Sequence, residues 1–308
     1  MKISIVIPCY GSEKTIENVV NEVAETMVQR DVEYEIILVN DCSPDDVWKE
    51  IQKLAEKHKE VKGLSLAKNF GQHSALMAGY RQATGDIIVS MDDDGQTPGD
   101  EIFKLIDKIT EGFDVVYATY ENKQHNFFRN FGSHVNDFMC EKLLGKPKGL
   151  NVSSYFAARR FVIKEVCKYD NSFTYVLGLI LRTTKNIGTV PVNHRAREEG
   201  RSGYTLSKLL ALWMNGFTAF SVQPLRIASM LGIVFAIFGF LGFIYVFINK
   251  LTNPNVPIGW SSMIAAVLLV GGIILTTLGI IGEYLGRVYI SINDAPQYVI
   301  RETTNNEE

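Results

Sequence analysis

Short apolar, β-branched runs alternate with amphipathic stretches through the first 120 residues. The runs at 3–7, 34–39, 63–66, 87–91 and 115–120 predict strands. The patterns over 15–29, 45–58, 72–82 and 98–111 predict helices between them. Pro44, Asp45 and Asp46 put a proline and negative charge at the start of the second helix, which suits its macrodipole. Pro98 marks the start of the fourth. Strand–helix alternation at this spacing predicts an α/β fold with a mainly parallel sheet in three layers. The pattern is less regular over 121–200, where 127–144 predicts a helix, 154–158 and 189–194 predict strands, and 195–203 is a basic, glycine-containing loop. No internal repeat is visible, and 303–308 reads as a short polar tail.

The C-terminal third changes solvent. No charged residue occurs over 227–249, nor over 251–282. Each stretch exceeds the ~20 residues needed to cross ~30 Å of hydrocarbon. A polar turn with Pro254 and Pro257 separates them, so the pair predicts a transmembrane hairpin. Lys208 and Arg226 precede the first span, and Arg287 and Arg301 follow the second, whereas the turn carries only Lys250. The positive-inside rule therefore puts both ends in the cytoplasm. Ahead of the hairpin, Leu206, Leu209, Leu210, Trp213, Phe217 and Phe220 recur at helical spacing. Two readings fit this stretch: an interfacial helix with Trp213 at headgroup depth, and a core helix of the soluble domain. Its place between a basic loop and a span favours the first. The expected division is a catalytic domain over 1–203, interfacial helices over 204–224 and spans over 225–249 and 258–282. A short external loop fills 250–257, and a cytoplasmic segment fills 283–308.

Composition narrows the classes. With 308 residues and a formal charge of −3, the chain has no basic footprint for nucleic acid. The four cysteines form no C-x-x-C pair and read as reduced thiols, not a disulfide framework or zinc site. The run at 3–7 is too short for a signal core and ends at Pro8, so an uncleaved cytosolic N-terminus is expected.

Candidate chemistry begins where the fourth strand runs into Asp92-Asp93-Asp94. Adjacent carboxylates repel one another, and a hard cation such as Mg²⁺ or Mn²⁺, shared with phosphate oxygens, would relieve them. A solvated acidic turn ahead of the Pro98 helix is the competing account. The first three strands should deliver Pro8–Glu13, Asn40–Asp45 and Lys68–His73 to the same sheet edge, where open α/β folds bind ligands. Tyr10 offers a ring, and Asp41 offers an acceptor for a base edge or simply closes an Asx turn. No Gly-x-Gly-x-x-Gly turn or P-loop is present, so neither a dinucleotide nor ATP hydrolysis is indicated. His73 sits at a helix start and reads as a packing residue, and the other histidines have no metal spacing.

These positions resemble family 2 glycosyltransferases of the GT-A fold. Within them the chain is similar to membrane-anchored polyprenyl-phosphate sugar transferases, the group that contains dolichol-phosphate mannose synthase and the undecaprenyl-phosphate sugar transferases. The resemblance rests on Pro8-x-Tyr10-x-x-Glu13, Asn40-Asp41-x-Ser43-x-Asp45 and Asn69-Phe70-Gly71-x-x-x-Ala75-x-x-x-Gly79. It continues through Gly85-Asp86 and Asp92-x-Asp94-x-Gln96-x-Pro98. Its more specific parts are Arg197-x-x-Gly200-x-Ser202-x-Tyr204 and Gly282-Glu283-Tyr284-Leu285-Gly286-Arg287. Cys42 stands where glycine is frequent, and Asp93 where a small residue is usual.

The resemblance implies an inverting transfer from a nucleotide-sugar, a UDP-sugar in the first instance, to undecaprenyl or polyprenyl phosphate on the cytoplasmic face of a bacterial inner membrane. Asp92, Asp94 and Gln96 would hold Mg²⁺ or Mn²⁺. Pro8, Tyr10, Glu13 and Asp41 would bind the donor together with Lys68, Asp92 and Asp93. Arg129, Arg197 and Ser202 would grip the acceptor phosphate, with Arg201 and Lys208 nearby, and Asp94 completes the catalytic set. The lipid phosphate is already anionic, so no general base is required. The basic loop would equally bind anionic headgroups, and the two roles are compatible. A homotetramer is the implied assembly. A processive polysaccharide synthase would carry more spans and a Gln-x-x-Arg-Trp signature, absent here, and a non-catalytic scaffold would have no use for the acidic and basic sets.

Overall fold

The computed structural model describes residues 1–120, 141, 146–147, 149–172, 174–193, 195, 259–292 and 295–304, with isolated positions between 230 and 252. The chain forms two compact units, Met1–Leu210 with Asp294–Glu308, and Ala211–Asn293.

The first unit is built on an eight-stranded sheet in the order β7-β5-β6-β4-β1-β2-β3-β8. Its strands are β1 Lys2–Cys9, β2 Glu33–Asn40, β3 Val61–Leu66, β4 Ile87–Ser90, β5 Val115–Tyr120, β6 Phe156–Arg159, β7 Ile187–Val192 and β8 Ile300–Thr303. β1 pairs in parallel with β2 and β4, β2 with β3, and β5 with β7. Two strands run antiparallel: β6, inserted between β4 and β5, and β8, added outside β3. Helices cover both faces: α1 Ile16–Gln29, α2 Val47–Lys57, α3 Gln72–Gln82, α4 Ile102–Thr110, α5 Arg160–Val166 and α6 Val176–Thr183.

Burial explains the strand pattern. From Ile3 to Cys9 every residue of β1 is buried, so the strand reads as a continuous apolar run instead of an alternating one. α1 turns Ile16, Val19, Val20, Val23 and Met27 inward at helical spacing, and α4 does the same with Ile102, Leu105, Ile106 and Ile109. Gly79 lets α3 lie directly on the sheet: a Cβ there would fall 2.4 Å from Val6 and 3.2 Å from Val39.

Several boundaries differ from the sequence pattern; the helix α7, Trp260–Ile292, for example, runs to Ile292, ten residues past 282, the expected end of the second span. The helix expected from Pro98 starts later, because Pro98 is extended and Gly99–Glu101 forms a 3₁₀ turn ahead of α4. The Gly99 amide donates to Glu22 Oε1 at 3.0 Å, which fixes that turn against α1. The C-terminal segment, in which 303–308 reads as a short polar tail, includes β8, so that Thr303 closes a strand. The sequence pattern did not mark α5 or α6 either.

The second unit contains α7, Trp260–Ile292, one helix of 33 residues. Met263, Val267, Val270, Ile274, Leu275 and Leu278 on it are all exposed. Over the residues whose side chains are described, no helix holds a stretch long and apolar enough to cross a membrane. The expected helices over 127–144, apart from Glu141, and over 204–224, and most of the first expected span and its following loop, lie outside the described residues.

Candidate active site

Parallel β1, β2, β3 and β4 end at one edge of the sheet, and the loops that follow them are tied together by side-chain bonds to backbone amides. Asp41 carries the most of this wiring. It is 4% exposed, and its two carboxylate oxygens accept from the Phe70 amide at 2.7 Å and the Gly71 amide at 2.8 Å. Burial raises its pKa, against the pull of those two amides. The loop after β2 is thereby locked to the loop after β3. Ser43 accepts from the Gly11 amide at 2.8 Å, and Asp45 accepts from the Glu13 amide at 2.9 Å. Glu13 returns the contact by accepting from the Asp46 amide at 3.3 Å. Cys42 adopts φ 50°, a left-handed conformation in which glycine is unstrained. Pro8 is buried in β1 opposite Val39, Lys68 places its ammonium 4.9 Å from the Phe70 ring centre, and Tyr10 is 54% exposed at the rim.

The acidic strand end splits by direction. Asp92 accepts from Gln72 Nε2 at 3.1 Å and also from the Ser154 hydroxyl just before β6. Asp94 accepts from the Gln96 amide at 3.1 Å. Asp93 turns to the β1 loop instead, where its Oδ2 accepts from the Tyr10 amide at 2.9 Å. Burial pushes Asp93 up to about 6, and the charge of Asp92 adds to that. Tyr120 is pushed up to about 12, first by burial and then by the charges of Asp92 and Asp94. Negative charge is thus concentrated here.

Among the described residues no three His, Cys, Asp or Glu side chains gather closely enough to hold a metal unaided. A hard divalent cation still fits this donor set. Two carboxylates, Asp92 and Asp94, would leave the other positions to diphosphate oxygens and water, as Mg²⁺ sites commonly do. His73 is held neutral: burial lowers it to about 4, and its ring packs edge-on against Tyr175 at 5.3 Å. This agrees with the packing role expected for it.

Arg129, Arg197, Arg201, Ser202 and Lys208 lie outside the described residues. The chain leading to the basic loop is described at Arg195. Its amide donates to the Gln96 carbonyl at 3.0 Å, and its guanidinium spans both oxygens of Glu22 at 2.8 and 2.9 Å. Asn193 donates to Glu101 at 2.8 Å just before it. The basic loop therefore starts beside the acidic strand end. Gln72, Ser154 and Glu22 had not been singled out from the sequence. Gln72 lies inside the Asn69–Gly79 motif, whereas Ser154 and Glu22 carry no local signal.

The sheet edge thus gathers an exposed ring, amide-bound carboxylates and a divided acidic cluster. The glycosyl transferase family 2 domain matches residues 4–167, and the chain belongs to that family; it is a glycosyltransferase. A GtrB C-terminal hairpin domain matches residues 223–288. The chain is 32% identical over 304 residues to the undecaprenyl-phosphate 4-deoxy-4-formamido-L-arabinose transferase of Proteus mirabilis, covering 98% of this chain and 93% of that one. Its identity to the Klebsiella pneumoniae (strain 342) transferase of the same name is 31%, covering 100% and 95%. Glucosyl-3-phosphoglycerate synthase from Mycobacterium tuberculosis, solved with Mn²⁺, UDP and phosphoglyceric acid, superposes with a TM-score of 0.54 at 21% identity, covering 69% of this chain and 75% of that one. Its complex with Mn²⁺ and UDP-glucose gives 0.53 at 20% identity, covering 75% and 78%. These structures establish the shared fold.

Proposed function

We propose that this enzyme transfers one glycosyl group from a nucleotide-sugar, a UDP-sugar first among donors, to undecaprenyl phosphate at the cytoplasmic face of a bacterial inner membrane. The observation that carries this reading is similarity over the whole chain, hairpin included, to transferases named for that acceptor. Tyr10 and Asp41, with Pro8, Glu13 and Lys68, would hold the nucleotide. Asp92 and Asp94, with Gln96, would hold Mg²⁺ or Mn²⁺ against the diphosphate, where the metal would neutralise the leaving charge. Arg129, Arg197 and Ser202 would present the lipid phosphate, with Arg201 and Lys208 beside them, because arginine's planar fork suits a phosphate. Attack opposite the leaving group inverts the anomeric centre.

The same reading assigns 1–203 to catalysis, 204–224 to the membrane interface, and 225–249 and 258–282 to two spans joined by 250–257. At 33 residues α7 measures ~50 Å, longer than the ~30 Å hydrocarbon core. Small residues recur on it at Gly271, Gly272, Gly279 and Gly282, as they do where membrane helices pack closely, and the assembly proposed is a homotetramer.

The test is a panel of radiolabelled nucleotide-sugars with undecaprenyl phosphate vesicles. One donor should yield an organic-extractable, acid-labile lipid, and EDTA should abolish its formation. Asp94→Ala should lower the rate by at least about a hundredfold while preserving folding. No lipid product from any donor, or full turnover in metal-free buffer, would defeat the proposal.

A further inference from the structure

Asp93 belongs to the acidic cluster by sequence but not by direction. Past β4 the chain bends over 93–95, and Asp92 and Asp94 both lie near enough to Tyr120 for their charges to act on it, whereas Asp93 turns to the loop after β1. The bonds follow this division. Asp92 meets Gln72 and Ser154, and Asp94 meets the Gln96 amide. Asp93 reaches across to the loop after β1 twice over. Its carboxylate accepts from the Tyr10 amide at 2.9 Å, and its own carbonyl accepts from the Thr15 hydroxyl at 2.6 Å, just ahead of α1.

We infer that Asp93 is a positioning residue that fixes the Tyr10 ring as a platform for the nucleotide base, and is not a metal ligand. This rests on the glycosyltransferase reading of the cleft. Tyr10 is 54% exposed, so packing holds it weakly and the backbone anchor sets where it stands. A carboxylate bonded to an amide is a stronger anchor than a neutral acceptor. One short segment thereby places both ends of the donor, the base through Asp93 and Tyr10, and the diphosphate through Asp92 and Asp94. It also explains why three adjacent carboxylates are tolerated: one of them is spent on the backbone.

Two variants of the full chain in detergent separate the roles. Asp93→Ala removes the acceptor; Asp93→Asn keeps an acceptor oxygen without the charge. Asp93→Ala should weaken UDP binding without metal by about tenfold, with Asn restoring most of the loss. It should raise KM for the nucleotide-sugar more than it lowers kcat, and hydrogen exchange at the Tyr10 amide should quicken. Half-saturating Mn²⁺ should move less than about twofold in either variant. The inference is overturned if Asp93→Asn weakens Mn²⁺ as much as Asp94→Asn does. It is overturned equally if Asp93→Ala leaves Tyr10 exchange and UDP affinity unaltered. If the unmodified enzyme binds no nucleoside diphosphate, the glycosyltransferase reading fails, and the exchange rate still decides whether Asp93 anchors Tyr10.

Discussion

Glu35 shows how a single buried charge is made stable in this sheet. It is 2% exposed on β2, at the end away from the cleft. Ser4 Oγ donates to it at 2.6 Å, the Thr84 amide at 2.7 Å, the Thr84 hydroxyl at 2.8 Å and Lys62 Nζ at 3.2 Å. Burial alone would raise its pKa, but these donors overcome burial and lower it from 4.5 to about 2. At about 1.4 kcal/mol per unit, the shift corresponds to about 3 kcal/mol of stability. Because the folded pKa is depressed, that stability is fully present above pH 4.5 and is lost as pH falls through about 2. Glu35→Gln should therefore be destabilised by about 3 kcal/mol at pH 7 and should lie close to the parent near pH 2. Denaturant unfolding of both proteins at the two pH values checks this, and a gap of equal size at both would refute it.

At the level of elements, β8 is the piece whose removal should matter most for its length. It pairs antiparallel with β3, with Leu64 opposite Thr303 and Leu66 opposite Ile300. The Ala67 amide reaches the Val299 carbonyl at 2.9 Å, and the Thr304 amide reaches the Gly63 carbonyl at 3.0 Å. Glu302 accepts from the Trp48 indole at 3.0 Å. The buried Gln297 donates to Thr174 Oγ1 at 2.7 Å. Deleting 295–308 would turn β3 into a bare edge, which invites pairing with other chains. The truncated protein should lose about 3 kcal/mol and aggregate at lower temperature, as differential scanning fluorimetry with light scattering would record. Unchanged melting and scattering would show that the strand is dispensable. The contrast with β1 shows what sequence pattern conveys. β1 to β5 are mostly buried on both faces, and such burial demands β-branched runs that stand out. β8 exposes Arg301 and Glu302 and draws its energy from backbone pairing, which leaves no pattern to read. The site divides in the same way. Strand ends and their acidic residues were legible, because each motif is local. The Ser154 bond to Asp92 and the Glu22 clasp on Arg195 join residues far apart in the chain, and no spacing announces them.

For the whole molecule, the physical problem is that a soluble donor must meet an acceptor confined to a bilayer. In the proposed function the hairpin solves this by holding the cleft at the surface, so its contribution is effective concentration rather than chemistry. Damage to the helix should therefore be felt only when the acceptor is in a membrane. Val270 and Ile274 are exposed near the middle of α7, one turn apart on the same face. Each replacement by lysine should cost about 3 kcal/mol of membrane insertion. The double variant Val270→Lys, Ile274→Lys should leave the alkali-resistant membrane fraction, where the parent protein remains. Its turnover of undecaprenyl phosphate in vesicles should fall in proportion, whereas turnover of a short-chain, water-soluble polyprenyl phosphate should stay within about twofold of the parent. Equal loss on both acceptors would mean that α7 supports the catalytic fold instead of anchoring it. A parent protein that washes off membranes in alkali would end the two-span assignment altogether.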